Sequence, residues 1–575
     1  MQLRRKFLKV GARRVHYFRA GDGPPAVLVH SSPANARLLD KEIEQLAGDF
    51  TVFAFDTPGF GLSDPLPGEQ LEVADLADAL AETLAALAMP RCPVFGTHTG
   101  AAIALELGAR YPARVTGLVL DGVPVFTPEE RAEYFPSYFQ KMAPSPLGGH
   151  YAEAWTRFRD QSIWFPWTNR IPKNLNPYDL GPPHSTHLWV SMFFEAAEHY
   201  IPAYRAASFY GEKAITAARS LRVPAVYCAT ESDMLYPHLD RLHPLGEGQT
   251  IAPIGTSYQR KRDLIGTSFA AFGADGPAPP DRDAVAGSTA IERQFIDLGF
   301  GQLHGRSCGN PTDPPLLLLH DAPGSSEQAE PLIAALAARF FVIAPDLPGC
   351  GESGALPGTP SIEDFAATMS ELLAALGIAT ALVYGVGFGA SVSLALAAHD
   401  NATHEPARVA ALALQGVLLP QAEVRADLQA RFVPRIAIEP DGAHWYRTWL
   451  MLRDSQVYWP WYDRRYSAAR RTAADFGARH LHRWTMDVMR SRTTYAQIIA
   501  AALRHDAGAA LRNLAVPLAR VIEPNTPLSV FDQQFQDLAP GAEVLDGTHA
   551  GIGDALRMMF DHTVGTNRAY SETPP

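Results

Sequence analysis

A histidine stands at position 98 between two glycines, in Gly96-Thr97-His98-Thr99-Gly100, directly after the strand-like run Val94–Phe95. An imidazole with an unperturbed pKa of about 6.5 exchanges a proton near neutral pH, so this residue suits general acid–base work. His30 closes an apolar run and opens His30-Ser31-Ser32-Pro33, while His150 and His444 each precede an aromatic residue. For that last pair, a hydrogen bond anchoring local structure and a place in a pocket wall both remain open. No His, Cys, Asp or Glu group has metal-ligand spacing. No Gly-x-Gly-x-x-Gly follows a strand in a nucleotide-binding context. Neither a metal nor a cofactor is expected.

Composition narrows the field further. At 575 residues the chain exceeds one ordinary core, so two or more domains are expected. Apolar residues make up 47% and charged ones 19%, the balance of a globular chain. Apolar runs such as Pro315 to Leu319 have strand length and fall far short of the ~20 residues that span a bilayer. The basic N-terminal segment lacks an apolar core and reads as a first strand, not a secretory signal. A net charge of −12 without a basic cluster argues against a nucleic-acid partner. Cys92, Cys228, Cys308 and Cys350 are scattered, as buried reduced thiols would be, and a cytoplasmic location is expected.

The chain repeats itself. His30, Pro33, Asp56, Pro58, Gly59, Gly61 and Ser63 recur as His320, Pro323, Asp346, Pro348, Gly349, Gly351 and Ser353, each 290 positions later. Downstream, His150, Trp155, Arg159, Asp160, Pro166, Trp167 and Arg170 recur 294 positions on, as His444 to Arg464. Identities in fixed register over that length indicate duplication of a whole domain. The expected division is a first domain over 1–273, a Gly/Pro/Asp-rich linker over 274–290, a second domain over 291–564 and a tail over 565–575. Within each copy, β-branched runs alternate with Ala/Leu-rich amphipathic segments, implying a mostly parallel sheet with helices on both faces. After Leu120 and Leu414 come stretches rich in aromatics and Pro, expected as caps over about 123–205 and 417–500. They hold all 9 tryptophans of the chain. Indole suits a lid over an apolar pocket, and it equally suits holding such a lid together.

This arrangement resembles the α/β-hydrolase fold, capped after the sixth strand, over nearly all of both halves. His-x-x-Pro resembles the family's oxyanion loop, Asp-x-Pro-Gly-x-Gly-x-Ser follows the next strand, and a glycine-flanked turn resembles the nucleophile elbow. The elbow's nucleophile is missing twice: Gly96-Thr97-His98-Thr99-Gly100 has His98, and Gly385-Val386-Gly387-Phe388-Gly389 has Gly387. The resemblance places the first domain's acid at Asp233 and its histidine slot at Ser257, so that His98 and Ser257 stand exchanged. It puts Asp233 nearer the Ser257 hydroxyl than an imidazole. In the second domain His549 matches the family histidine, Thr526 falls in the acid slot unless Glu523 reaches back, and Asp321 would oppose an oxyanion. Asp121 is an alternative acid in the first domain.

The expectation is an atypical enzyme acting on a small organic molecule in domain 1, by water activation or a cofactor-free lyase or isomerase step. His98 would be the base, and the amides of Thr99 and the Ser31–Ser32 turn the anion hole. His30, His150 and Trp155 are further candidates for the site, and domain 2 is expected to be degenerate and structural. A non-catalytic ligand-binding pseudo-hydrolase and a scaffold stand as alternatives. No nucleic-acid or membrane partner is expected, but contact between the two domains is. The oligomeric state is open.

Overall fold

A computed structural model describes residues 3–281, 288–403, 408–523, 527–548 and 551–571 of the chain. They fall into two compact units, the first drawn mainly from the chain before residue 283 and the second mainly from the chain after 284.

In the first unit the strands are β1 (Arg4–Val10), β2 (Arg13–Ala20), β3 (Pro25–Val29), β4 (Thr51–Phe55), β5 (Cys92–Thr97), β6 (Val115–Asp121), β7 (Ala225–Cys228) and β8 (Gln249–Ile251). They form one sheet in the order β1-β2-β4-β3-β5-β6-β7-β8. The basic N-terminal segment is the edge of that sheet, an antiparallel hairpin with β2 that turns at Gly11. From β4 to β8 every pairing is parallel. Strands β3, β4 and β5 are buried at every residue, which is why they read as unbroken apolar runs and not as alternating ones. One face is covered by helices that include Val73–Ala86 and Thr99–Arg110, and the other packs around Phe50 and Phe269, whose rings meet edge to face at 5.9 Å.

The second unit repeats the plan. Its strands β9 (Ser288–Leu298), β10 (Gly301–Gly309), β11 (Pro315–Leu319), β12 (Phe341–Pro345), β13 (Ala381–Val386), β14 (Val409–Gln415), β15 (Leu518–Ile522) and β16 (Glu543–Asp546) order as β16-β15-β14-β13-β11-β12-β10-β9. Apolar clusters lie on both faces of this sheet, one around Leu317, Val383 and Leu412 and the other around Leu318, Leu382 and Ala413. Alternate residues of single strands thus serve opposite cores.

Between β6 and β7, and again between β14 and β15, the chain leaves the sheet for a helical insertion. In the first unit it contains helices Pro128–Tyr134, Gly149–Ile163, Pro183–Ala196 and Tyr200–Ser208. Asp160 is tied to Arg170 at 2.7 Å, and in the second unit Asp454 is tied to Arg464 at 2.9 Å. The aspartate therefore bridges to the arginine ten residues on, closing the loop after the helix. The four cysteines are free and buried.

Candidate active site

The backbone at His98 is the first element of the site. Strand β5 ends at Thr97, helix Thr99–Arg110 begins at once, and His98 joins them at φ 48°, ψ −107°. Such a conformation costs about 1–3 kcal/mol for a residue with a side chain. The flanking glycines allow it: a Cβ on Gly96 would meet the Gly100 carbonyl at 2.1 Å, and one on Gly100 would meet the Val29 carbonyl at the same distance. The turn lifts the His98 ring out of the sheet and into a cavity of about 490 Å³.

There the ring meets Asp233, which follows β7: Nε2 lies 2.8 Å from Oδ2. Asp233 is fixed by the amide of Leu235, bonded to its other oxygen at 2.8 Å. Gly122 completes the seat, since a Cβ there would press on the imidazole at 2.7 Å. A carboxylate at Nε2 holds the proton of a neutral ring on that nitrogen and leaves Nδ1 as the acceptor. Burial disfavours the imidazolium, but Asp233 more than offsets it and the His98 pKa is raised. Burial likewise disfavours the carboxylate, yet His98 and the Leu235 amide bring the Asp233 pKa below its usual value.

These shifts set a sign. The raised histidine contributes stability that is present below its unfolded pKa near 6.5 and lost as pH rises through the folded value. The lowered aspartate contributes above its unfolded pKa near 3.9, and that part is lost as pH falls through the folded value. By NMR, the ring protons of His98, assigned by their absence in His98→Asn, are expected to titrate above the range of an ordinary histidine. In Asp233→Asn they should titrate lower than in the wild type, because burial is then opposed only by the Asp121 charge, which Lys261 counters. An unchanged midpoint would show that the pair does not form.

Ser257 is not in this contact. Its hydroxyl accepts from the Arg260 amide at 3.2 Å and caps helix Tyr258–Phe272, a place serine favours for that reason. The expectation that Asp233 lies nearer the Ser257 hydroxyl is therefore corrected: the carboxylate bonds the imidazole directly. That helix lends Tyr258, Lys261 and Arg262 to the cavity wall, and Lys261 Nζ lies 2.9 Å from Asp121 Oδ2. The same oxygen accepts from Thr97 at 2.9 Å, so Asp121 is bound up in a buried ion pair beside the His98 pair.

The other candidates divide. Ser31 and Ser32 line the cavity, and the Ser32 hydroxyl is buried without a partner among the described residues. His30 lies behind them with both ring nitrogens engaged: the Thr57 amide donates to Nε2 at 2.9 Å, so Nδ1 donates to the Ser31 carbonyl at 2.9 Å. It pins one loop to the next and offers no donor to a ligand. The Thr99 side chain is buried outside the cavity wall, while its amide opens the helix. His150 and Trp155 are buried within the helical insertion and do not line the cavity. Burial lowers the His150 pKa to about 4, so it stays neutral. Aromatic wall is supplied instead by residues such as Phe158, Tyr178 and Trp189.

Sequence reasoning also passed over His16 and His304. Each is buried and bonds the aspartate of the Asp-x-Pro-Gly turn, His16 to Asp56 at 2.7 Å and His304 to Asp346 at 2.8 Å. Asp56 also accepts from the amides of Ala36 and Leu62, and its pKa is lowered to about 2. A lone histidine in a strand gives no hint of such a bond.

In the second unit Gly387 takes the elbow position at φ 56°. The oxyanion-loop carboxylate of Asp321 fills the space beside it, with Oδ1 accepting from the amides of Phe388 and Ala322, each at 2.8 Å. A Cβ on Gly387 would come within 2.0 Å of that carboxylate. Glu523 receives a hydrogen bond from Gln415, while Thr526 and His549 lie outside the described residues.

Comparison with known proteins bears on the fold. The model of the alpha/beta hydrolase fold matches residues 24–160 and 314–450. The pimeloyl-[acyl-carrier protein] methyl ester esterase of Shewanella sp. (strain MR-7) is 29% identical over 148 residues, 25% of this chain and 53% of that protein. Haloalkane dehalogenase 2 of Mycobacterium bovis is 32% identical over 107 residues, 19% of this chain and 37% of that protein. The chain thus spans about half or less of the length of these curated relatives. Among solved structures, an esterase from Thermogutta terrifontis is similar over 47% of this chain and 99% of that one, at 16% identity and a TM-score of 0.35.

Proposed function

Because this chain is a tandem α/β-hydrolase-fold protein, we propose that its first domain is a hydrolase for a small organic ester, using His98 as a general base on water. The observation that carries this reading is the imidazole at the elbow, held at 2.8 Å by Asp233 in the wall of a cavity. Nδ1 of His98 takes a proton from water, and the oxygen adds to the acyl carbon. The proton passes from the ring to the departing alkoxide as the carbon–oxygen bond breaks, giving acid and alcohol.

The developing oxyanion faces the amides of Thr99 and Ser32. Support comes from the second domain, where the amides at the matching positions, Phe388 and Ala322, hold a carboxylate oxygen. There the hole is already filled, so the second domain does not run this reaction. The curated relatives named as an esterase and a dehalogenase support the hydrolase class. No serine attacks, so no acyl-enzyme forms.

Intact-mass measurement after treatment with a fluorophosphonate probe tests this together with turnover of short-chain p-nitrophenyl esters. Hydrolysis with no adduct is expected. An adduct on a serine would overturn the absence of a covalent step, and no turnover of any ester would overturn the hydrolase.

A further inference from the structure

The second domain has a cavity of its own, about 420 Å³, walled by aromatic residues that include Phe388, Phe432, Trp459, Trp461 and Trp484. Its size suits a bicyclic organic molecule. Most of the donors around it are already engaged with the wall. The indole of Trp461 donates to the Phe432 carbonyl at 2.8 Å, and that of Trp484 to the Pro323 carbonyl at 2.6 Å. Tyr495 donates to the Pro434 carbonyl. The Gln328 amide donates to Asp487 at 3.0 Å, and that of Gln415 to Glu523.

One acceptor oxygen is left over instead. Asp321 sits at the cavity's sheet end with Oδ1 taken by two amides and Oδ2 without a hydrogen-bond partner among the described residues. Glu523 also borders the cavity. Against these two carboxylates stand the guanidinium of Arg470, which donates to the Ser455 carbonyl at 3.0 Å, and the ring of His480. A site with a carboxylate exposed to the cavity at one end, π faces around it and few free donors favours a ligand that brings its own donors and positive charge.

We propose that the second domain is a binding site for an aromatic or alicyclic amine, whose ammonium group bonds Asp321 while its apolar body lies among the tryptophans. This assignment is independent of the chemistry proposed for the first domain. It also replaces a purely structural role for the second domain with a ligand-binding one.

Calorimetry on the full chain with three probes of one shape tests it: 1-naphthylmethylamine, 1-naphthylmethanol and 1-naphthoate. The amine is expected to bind about tenfold more tightly than the alcohol, with naphthoate weakest. In Asp321→Asn, whose amide oxygen still accepts from the Phe388 and Ala322 amides, that preference should fall to about twofold or less. Because the first domain also holds carboxylates, Asp233→Asn is measured alongside and should keep the preference. Equal binding of amine and alcohol, a preference that survives Asp321→Asn, or one that disappears in Asp233→Asn would each overturn the assignment.

Discussion

His98→Asn lowers kcat/KM for ester hydrolysis by roughly 10²–10⁴-fold, the usual worth of a positioned general base. Asparagine is the informative replacement, because it tolerates positive φ better than most residues and so keeps the turn between Gly96 and Gly100. Circular dichroism and melting should stay near wild type while turnover falls. The pH profile carries the second half of the argument. His98 works as a base only when neutral, so kcat/KM should rise with pH through its raised pKa. Asp233→Asn removes the main cause of that rise, and the same limb should move to lower pH. That variant should also turn over more slowly, since nothing then holds the proton on Nε2. Stability runs the other way: the imidazolium–carboxylate pair stabilises the fold where the base is blocked, and that contribution is lost as pH frees Nδ1. A His98→Asn enzyme of wild-type kcat/KM would remove His98 from the mechanism.

Much of this site was legible because its backbone is written in glycine. The spacing Gly96-x-His98-x-Gly100 after an apolar run suits a strained strand-to-helix turn, and the duplicate around Gly387 shows the same glycine frame a second time. The fold was legible for a related reason: fully buried parallel strands leave unbroken apolar runs, and the duplication gave each run a second reading. What was not legible depends on side chains meeting across elements far apart in the chain. Lys261 is one of many charged residues on an ordinary helix, and only the packing of that helix against β6 aims it at Asp121, 140 positions earlier. Ser257 looked like half of an exchanged pair, whereas its hydroxyl is engaged by its own helix. His30 looked available to a ligand, but the loop needs both of its nitrogens.

Gly387→Ala is expected to destabilise the second domain by about 3–5 kcal/mol, large for one methyl group. Two costs add. At φ 56° a Cβ brings backbone strain of about 1–2 kcal/mol. The methyl would also sit 2.0 Å from the Asp321 carboxylate, which must then leave the Phe388 and Ala322 amides. Each hydrogen bond to a charged group is worth about 1.5–3 kcal/mol, so displacement forfeits a good part of that sum. Desolvation by the surrounding protein raises the carboxylate's pKa to about 6, against the pull of the two amides. The two residues are therefore coupled: Asp321→Ala alone leaves two amides without their acceptor, but it clears the space for a side chain at 387. The double variant Asp321→Ala/Gly387→Ala should be less destabilised than the sum of the single ones, by about 1–3 kcal/mol. Urea unfolding followed by tryptophan fluorescence reads the second-domain transition, because five of the nine tryptophans lie there. Simple additivity in that cycle would mean that the glycine and the carboxylate do not depend on each other. Coupling would mean that a side chain at position 387 and the Asp321 carboxylate compete for one space.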